Sequence, residues 1–523
     1  MTKATELLYS LAGQNSMSLT TSPFLTSCHW SLLGKLQWQQ HSCCVIPYNP
    51  LMQRLGNTPI AIRIFAILVV LAIAIWSLFA YSSNQLLSQA QEAAAADNPS
   101  AAHLFAKAAQ GFPPRPDLWD DAGMQALLHE DYAAAIEYFE RAQQERQIGA
   151  DGWVALGTAH QLTGDNQKAI QIWEEAIAFD NANVEAYRLL AVNYRQNGDY
   201  PAAIEALNQL TLLQPGNAAA RFELGLLLAS SNPEEAITNF EITADLDDSF
   251  QEDSDILRRA LRDALASDDP AYAAVITGQA LASVSEWRLA AENFVLAIEY
   301  DLEYAEAWAY LGEAKQRLGQ GGFEELQTAL LLNPDSLSAN IFQALYWQRL
   351  NQPEQALVYL TKATELNPEN PDLFVDLGRL TAQAGDLPIA LEHYKQAIQL
   401  APSTSRYWVA LAEFTVDFEV FIEDEGLPAA RQALELAPED PAVLVANGRV
   451  AYLMEDHINA IRFYDQAIIL APEYAATYIH LGLLHLTQGN RTEAESAFLR
   501  ALEIDLDGLV GQQAQRLLEQ YFP

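Results

Sequence analysis

Three arginines, Arg349, Arg379 and Arg449, recur at related places in a run of repeated segments, with Glu413 and Tyr452 in the same run. Guanidinium groups hold carboxylates through paired hydrogen bonds, and Arg and Tyr are the residue types enriched where proteins grip one another. The chemistry these residues offer is therefore recognition. They fall at offsets five, nine and twelve or thirteen from each segment start, together with Ile341, Leu345, Val375, Gln383, Val409, Val416 and Val445, and the last segment adds Ile479, Leu483 and Leu486. On a helix these offsets share one face. The pattern predicts an apolar stripe carrying cations, suited to an amphipathic helix or extended peptide with apolar anchors and some acidic residues. The plainer alternative is that the aliphatic members pack between neighbouring helices.

Bond-making chemistry finds no support in the residues. There is no HExxH, no GxSxG, no phosphate-loop motif and no metal-spaced Cys/His cluster. His160 and His485 stand where other segments place a core aromatic residue, and His480 and His485 are five apart, a poor match to one helical face. Gly319-Gln320-Gly321-Gly322 lacks the Lys and Ser/Thr that would make it a phosphate cradle, and it reads as a shortened turn. Asp245–Asp255 is acidic but lacks the central Gly and terminal Glu of a calcium loop. The reading is of a non-enzyme with no cofactor, no metal and no small-molecule substrate; an unrecognised hydrolase is a remote alternative.

The elements that position the arginines are read from a 34-residue period. Phe374, Leu377, Gly378, Gly385, Asp386, Ala390, Tyr394, Ala397 and Pro402 set the pattern. One unit upstream it returns as Asn340, Ala344, Ala356, Leu360, Ala363 and Pro368, and downstream, past two extra residues around Phe421–Gly426, as Leu444, Gly448, Ala460, Tyr464, Ala467 and Pro472. Residues 374, 377 and 381 define one helical face, and 390, 394 and 397 a second. Gly385 is placed to end the first helix, Asp386 to cap the second, and Pro402 to stop it. One such pair cannot bury its own apolar face, so a stack of neighbours must supply the core.

This spacing resembles the tetratricopeptide-repeat family from about residue 82 onward. The resemblance implies an all-α solenoid of about twelve helical hairpins in a right-handed superhelix, with a concave groove lined by the first helices. It implies a protein-interaction scaffold whose partner is a protein or peptide of unknown identity. One subgroup of the family grips a peptide carboxylate with Lys and Asn; the matching positions here, Asp120, Met124, Val154, Thr158, Arg188 and Val192, depart from that clamp. Membrane-anchored relatives with a glycosyltransferase domain or a terminal cysteine knuckle are not matched either. An accessory subunit of an envelope glycan-synthesis or secretion complex is the second reading.

The organisation follows. Residues 1–51 show no sustained period and hold all three cysteines, Cys28, Cys43 and Cys44; they read as an unstructured or overcalled extension, with Met52 the expected start. Residues 52–81 read as a basic lead and an anchor, the span being Ile64–Tyr81, without a charge and with Trp76 and Tyr81 toward its far end. Arg54 and Arg63 precede it and the next cation is Lys107, so the N-terminus is expected in the cytoplasm and the repeats on the other side. Residues 82–250 hold repeats 1–5, 251–270 an acidic solvated connector with a short helix, 271–507 repeats 6–12, and 508–523 a capping helix with Gln512, Gln513 and Gln515 on its polar side. The net charge of −39 divides into +3 over residues 1–81 and −42 beyond. So negative an array repels phosphate backbones, which excludes nucleic acid as an expected partner.

Overall fold

The computed structural model describes residues 60–145 and 148–523. The expectations for residues 1–51, the cysteines and the Met52 start lie outside the described residues. The described chain is all-α, without strands, and forms two compact units that meet in sequence between Leu224 and Gly225. In order the helices are α1 (Ile60–Ala95), α2 (Ser100–Ala109), α3 (Leu118–Leu128), α4 (Tyr132–Gln144), α5 (Ala150–Leu162), α6 (Asn166–Phe179), α7 (Val184–Asn197), α8 (Tyr200–Leu213), α9 (Ala218–Leu228) and α10 (Pro233–Leu246). They continue as α11 (Gln251–Ala266), α12 (Pro270–Ser283), α13 (Trp287–Tyr300), α14 (Ala305–Arg317), α15 (Phe323–Leu332), α16 (Leu337–Arg349), α17 (Pro353–Leu366) and α18 (Pro371–Gln383). The last are α19 (Leu387–Leu400), α20 (Ser405–Asp417), α21 (Leu427–Leu436), α22 (Pro441–Leu453), α23 (His457–Leu470), α24 (Ala475–Thr487), α25 (Arg491–Ile504) and α26 (Leu509–Tyr521). Successive pairs form hairpins from α1–α2 to α9–α10 and from α12–α13 to α24–α25, leaving α11 and α26 single.

Local chemistry sets the turns. Gly385 closes α18 in the left-handed region at φ +97°, which a side chain would strain. Asp386 then accepts the Ile389 N–H at 3.3 Å and opens α19. Asp131, Asp165, Asp199 and Asp456 cap α4, α6, α8 and α23 in the same way. The two extra residues before α21 are taken up by a π-helical turn, Ile422–Gly426.

Within a hairpin, a glycine of the first helix receives a large side chain of the second. Gly123 faces Phe139, Gly157 faces Trp173, Gly278 faces Phe294 and Gly448 faces Tyr464. A Cβ on Gly448 would lie 2.3 Å from Cε1 of Tyr464. The close approach buries Phe139, Trp173, Phe294 and Tyr464 almost completely, each contributing about 1.5–3 kcal/mol of transfer free energy.

Residues 251–270 correct the expectation of a solvated connector. α11 starts at Gln251, five residues before the short helix read from the sequence, with Glu252 and Asp253 in its first turn, where carboxylates suit the helix dipole. It buries Ser254, Leu257, Leu261 and Ala264 on one face and packs between α10 and α12, so it belongs to the core of its unit.

α1 runs 36 residues without interruption. Its 18-residue apolar stretch has mean hydropathy 2.6, long and apolar enough to cross a membrane, and none of it is buried. Side chains from Ile64 to Phe79 are exposed; Ala80 is half-buried, and Ser83 and Ala90 are buried in the half of α1 that pairs with α2. One helix therefore passes from a bare apolar half to a packed half.

Candidate functional site

The first helices α16, α18, α20, α22 and α24 carry the sequence-predicted residues, and α14 precedes them, all within the second unit. At one end of this series sits a buried carboxylate. Glu313 of α14, its side chain 5% exposed, accepts from both terminal nitrogens of Arg349 of α16, at 2.8 and 2.5 Å. Arg317 Nε donates to it as well, at 2.8 Å, while its guanidinium lies over the Trp287 ring. Arg349 also donates to Gln316. Two cations around one carboxylate satisfy a buried charge that alone would be costly. Arg349 is thus an intramolecular tie between adjacent first helices.

Arg449 plays the same part between α20 and α22. Its side chain is 17% exposed and it pairs with Asp417 and, at 3.6 Å, with Glu413. Burial raises the Glu413 carboxyl above its ordinary range; Arg449 opposes that and Asp417 adds to it. Burial also raises the Tyr394 phenol, with Arg379 opposing and Asp417, Asp376 and Glu413 adding to the shift. Burial, with Arg449 nearby, pushes the His480 imidazole down to about 3; its ring is stacked on Tyr464 at 6.4 Å. Arg379, Asp376, Glu413 and Asp417 thus all lie near the buried Tyr394 phenol, and Arg449 lies near both Glu413 and His480.

Arg379 differs from the other two arginines. Among the described residues its ion pair is to Asp376 of its own helix, one turn away at 2.7 Å; its side chain is 40% exposed, against 36% for Arg349 and 17% for Arg449. Tyr452 is half-buried, its ring 5.8 Å from that of His457. Ile479 is 1% exposed and packs with Phe498 and Ala514; Leu483 and Leu486 are half-buried against the same cluster, which Val510, Leu517 and Leu518 of α26 complete. The capping helix occupies the place a partner would need, so these three residues belong to the core rather than to an open stripe. Val409 and Val445 are likewise buried.

Sequence reasoning missed Glu313, Asp376, Asp417, Tyr394 and His480. A signal existed for one of them: Glu313 and Glu413 share offset nine in their units, each followed one unit later by an arginine at offset thirteen or nine. Among the described residues, no group of three or more His, Cys, Asp or Glu side chains is placed to hold a metal ion.

With hairpins, turn chemistry and first-helix face established, likeness to known proteins can be stated. Family profiles described as tetratricopeptide repeat match residues 121–185, 161–224, 349–414 and 475–507. The chain is a tetratricopeptide-repeat protein. It is similar to the interferon-induced protein with tetratricopeptide repeats 2 of Cricetulus griseus, 30% identical over 146 residues, covering 27% of this chain and 31% of that one. It is also similar to the cellulose synthase 2 operon protein C of Komagataeibacter xylinus, 27% identical over 172 residues, 30% of this chain and 13% of that one. The match thus spans about a third or less of these relatives' lengths. The crystal structure of yeast Tom70 aligns over 77% of this chain and 94% of its own, at 17% identity and a TM-score of 0.38.

Proposed function

We propose that the protein is a membrane-tethered scaffold. On this reading α1 crosses a bilayer between Ile64 and Tyr81, the N-terminal end is cytoplasmic, the repeats lie on the extracytoplasmic side, and the first-helix face of repeats 8–12 holds a protein or peptide partner. The observation that carries it is α1 itself, a helix whose bare apolar half continues without a break into the first packed hairpin. Repeats of this family serve protein interaction, and Arg379 is a half-exposed cation beside Asp376, with Glu413 and Asp417 nearby. The ties of Arg349 and Arg449 narrow the reading: Arg379, paired within its own helix, is the cation offered to an acidic group of the partner, and the other two are engaged between neighbouring first helices on either side of it.

The orientation rests on Arg54 and Arg63 before the span against Lys107 as the next cation after it. Alkaline extraction and flotation of the full chain test the anchor, and protease added outside intact cells tests the side. Recovery in the soluble fraction, or protection from outside protease until lysis, overturns those two parts respectively. For the partner face, Arg379→Glu is expected to reduce co-purification of the partner after mild detergent extraction while leaving helicity unchanged; equal recovery overturns the assignment.

A second reading has one observation in its favour. The similarity to a cellulose synthase operon protein suits an accessory subunit of an envelope glycan-synthesis complex. Synthase polypeptides recovered with the wild-type chain, and lost in Arg379→Glu, would support that reading.

A further inference from the structure

The turn between α2 and α3 meets α1 at the level where the apolar run ends. Gly111 lies so close to Ser83 that a Cβ on it would stand 2.6 Å from the serine Oγ. That hydroxyl donates to the Ala108 carbonyl at 3.4 Å. One residue further, the Phe112 ring packs edge-on to Phe79, with centroids 6.0 Å apart at 78°. The turn is also closed on itself, the Arg115 N–H donating to the Ala109 carbonyl at 3.0 Å. It thus touches α1 at two successive residues.

Phe112 nevertheless stays 53% exposed, beside Phe79 at 54%, Trp76 at 51% and Tyr81 at 71%. Pro114 is exposed in the same turn, and Lys107 is exposed on the last turn of α2. Ile64–Tyr81 rises about 27 Å as a helix, close to the roughly 30 Å of a hydrocarbon core. Its last turn, and the ring that packs on it, therefore fall at the boundary between acyl chains and headgroups. Aromatic rings are enriched at that level, and a neighbouring lysine can reach the phosphates.

We infer that the turn Gly111–Pro116 is an interfacial foot, by which the repeat array rests on the lipid surface with Phe112 at the acyl–headgroup boundary. The inference builds on the membrane-spanning reading of α1 and adds a second lipid contact, made by the array itself. The occupant is the bilayer because the surface is continuous with the span: Phe112 touches Phe79, and no residue lies between that contact and the packing face that begins at Ala80. With helix and foot both engaged, the first hairpin has a fixed height and facing relative to the membrane.

Depth-dependent quenching tests this on the full chain. Cys28, Cys43 and Cys44 are replaced by Ser, and single cysteines at Ala72, Phe112 or Glu92 are labelled with an environment-sensitive fluorophore. The protein is reconstituted in phosphatidylcholine vesicles containing a lipid with a nitroxide near the top of its acyl chain. Ala72 lies within the span, and Glu92 lies on the exposed side of α1 about 20 Å along the axis from Phe79. The expected result is loss of emission at 72 and 112 with emission kept at 92. Loss at 72 with emission kept at 112 overturns the foot and leaves the span standing. Emission kept at all three positions overturns both. Loss at all three overturns the foot as a defined contact, since the array would then lie along the membrane.

Discussion

The interior of a hairpin and the seam between two first helices are built on different physics. Inside a hairpin, Gly448 admits Tyr464 with no space left over, as Gly123 admits Phe139 and Gly278 admits Phe294. Steric fit fixes that register, and it can do so because the two partners stand at an almost constant separation in sequence. At the seams, Arg349 reaches Glu313 and Arg449 reaches Asp417 and Glu413. There the tie is charge, its partners differ from seam to seam, and each pair must offset its own desolvation. The difference teaches where change is tolerated. In this chain a hairpin interior repeats one solution, whereas each seam is tied differently.

The sharpest way to break this contrast is Gly448→Leu. With no room at Cβ, the substitution is expected to cost about 3 kcal/mol. The readout is faster hydrogen exchange across α22 and α23 in the full chain. Unchanged exchange would mean that steric fit does not fix the hairpin. Next is the Glu313 seam. Arg349→Met leaves a buried carboxylate with Arg317 alone and is expected to cost about 2 kcal/mol, reduced from the fully buried case because Arg349 is partly solvated. Glu313→Leu with Arg349→Met is expected to recover most of it. If the double variant is as unstable as the single, charge is not what the seam supplies.

Gln343 offers a gain. It is fully buried with neither side-chain amide atom hydrogen-bonded, at the unit position held by Leu311 and Leu377 in the neighbouring repeats. Gln343→Leu is expected to raise stability by about 1.5 kcal/mol by removing an unsatisfied polar group, seen as a higher denaturant midpoint. A lower midpoint would show that the amide has a role in the core. The smallest effect is at a seam of the first unit. Asp120 accepts from the Gly149 N–H at 3.2 Å, and burial pushes its carboxyl up to about 6. An acid raised on folding favours the protonated folded state, so its contribution improves as pH falls through about 6 toward the ordinary carboxylate range, and it is unfavourable above. Asp120→Asn is expected to stabilise by about 1 kcal/mol at pH 8, discounted for partial exposure, with the advantage gone by about pH 4. An advantage equal at both pH values would remove ionisation as the cause.

Most of the array was legible because small, large and turn residues recur at one period. Gly378, Gly385, Asp386 and Tyr394 each do locally what their types suggest. The seams were not, for a physical reason. Offsets within a unit say which residues share a helical face, but not whether a neighbour's carboxylate already holds the charge. Arg349 and Arg449 therefore read as open cations although both are tied to carboxylates of a neighbouring first helix, whereas Arg379 pairs with Asp376 of its own helix. Ile479, Leu483 and Leu486 were misjudged because the helix that covers them follows the last repeat and has no counterpart in the period. α11 was underestimated because its first turn is acidic; five polar residues look like loop until Leu257 and Leu261 show which face is buried.

The unbroken run of α1 through Tyr81 and Ser83 has a rotational consequence. A helix turns about 100° per residue, so the azimuth at which Ser83 packs on α2 is keyed to the azimuth of each residue in the bare apolar half. Adding one residue between Tyr81 and Ser83 would swing the hairpin around the axis by that angle while lifting it by about 1.5 Å. The junction thus transmits orientation like a keyed shaft: a tilt or twist of the apolar half is passed to the first hairpin as the same angle, with no swivel to absorb it.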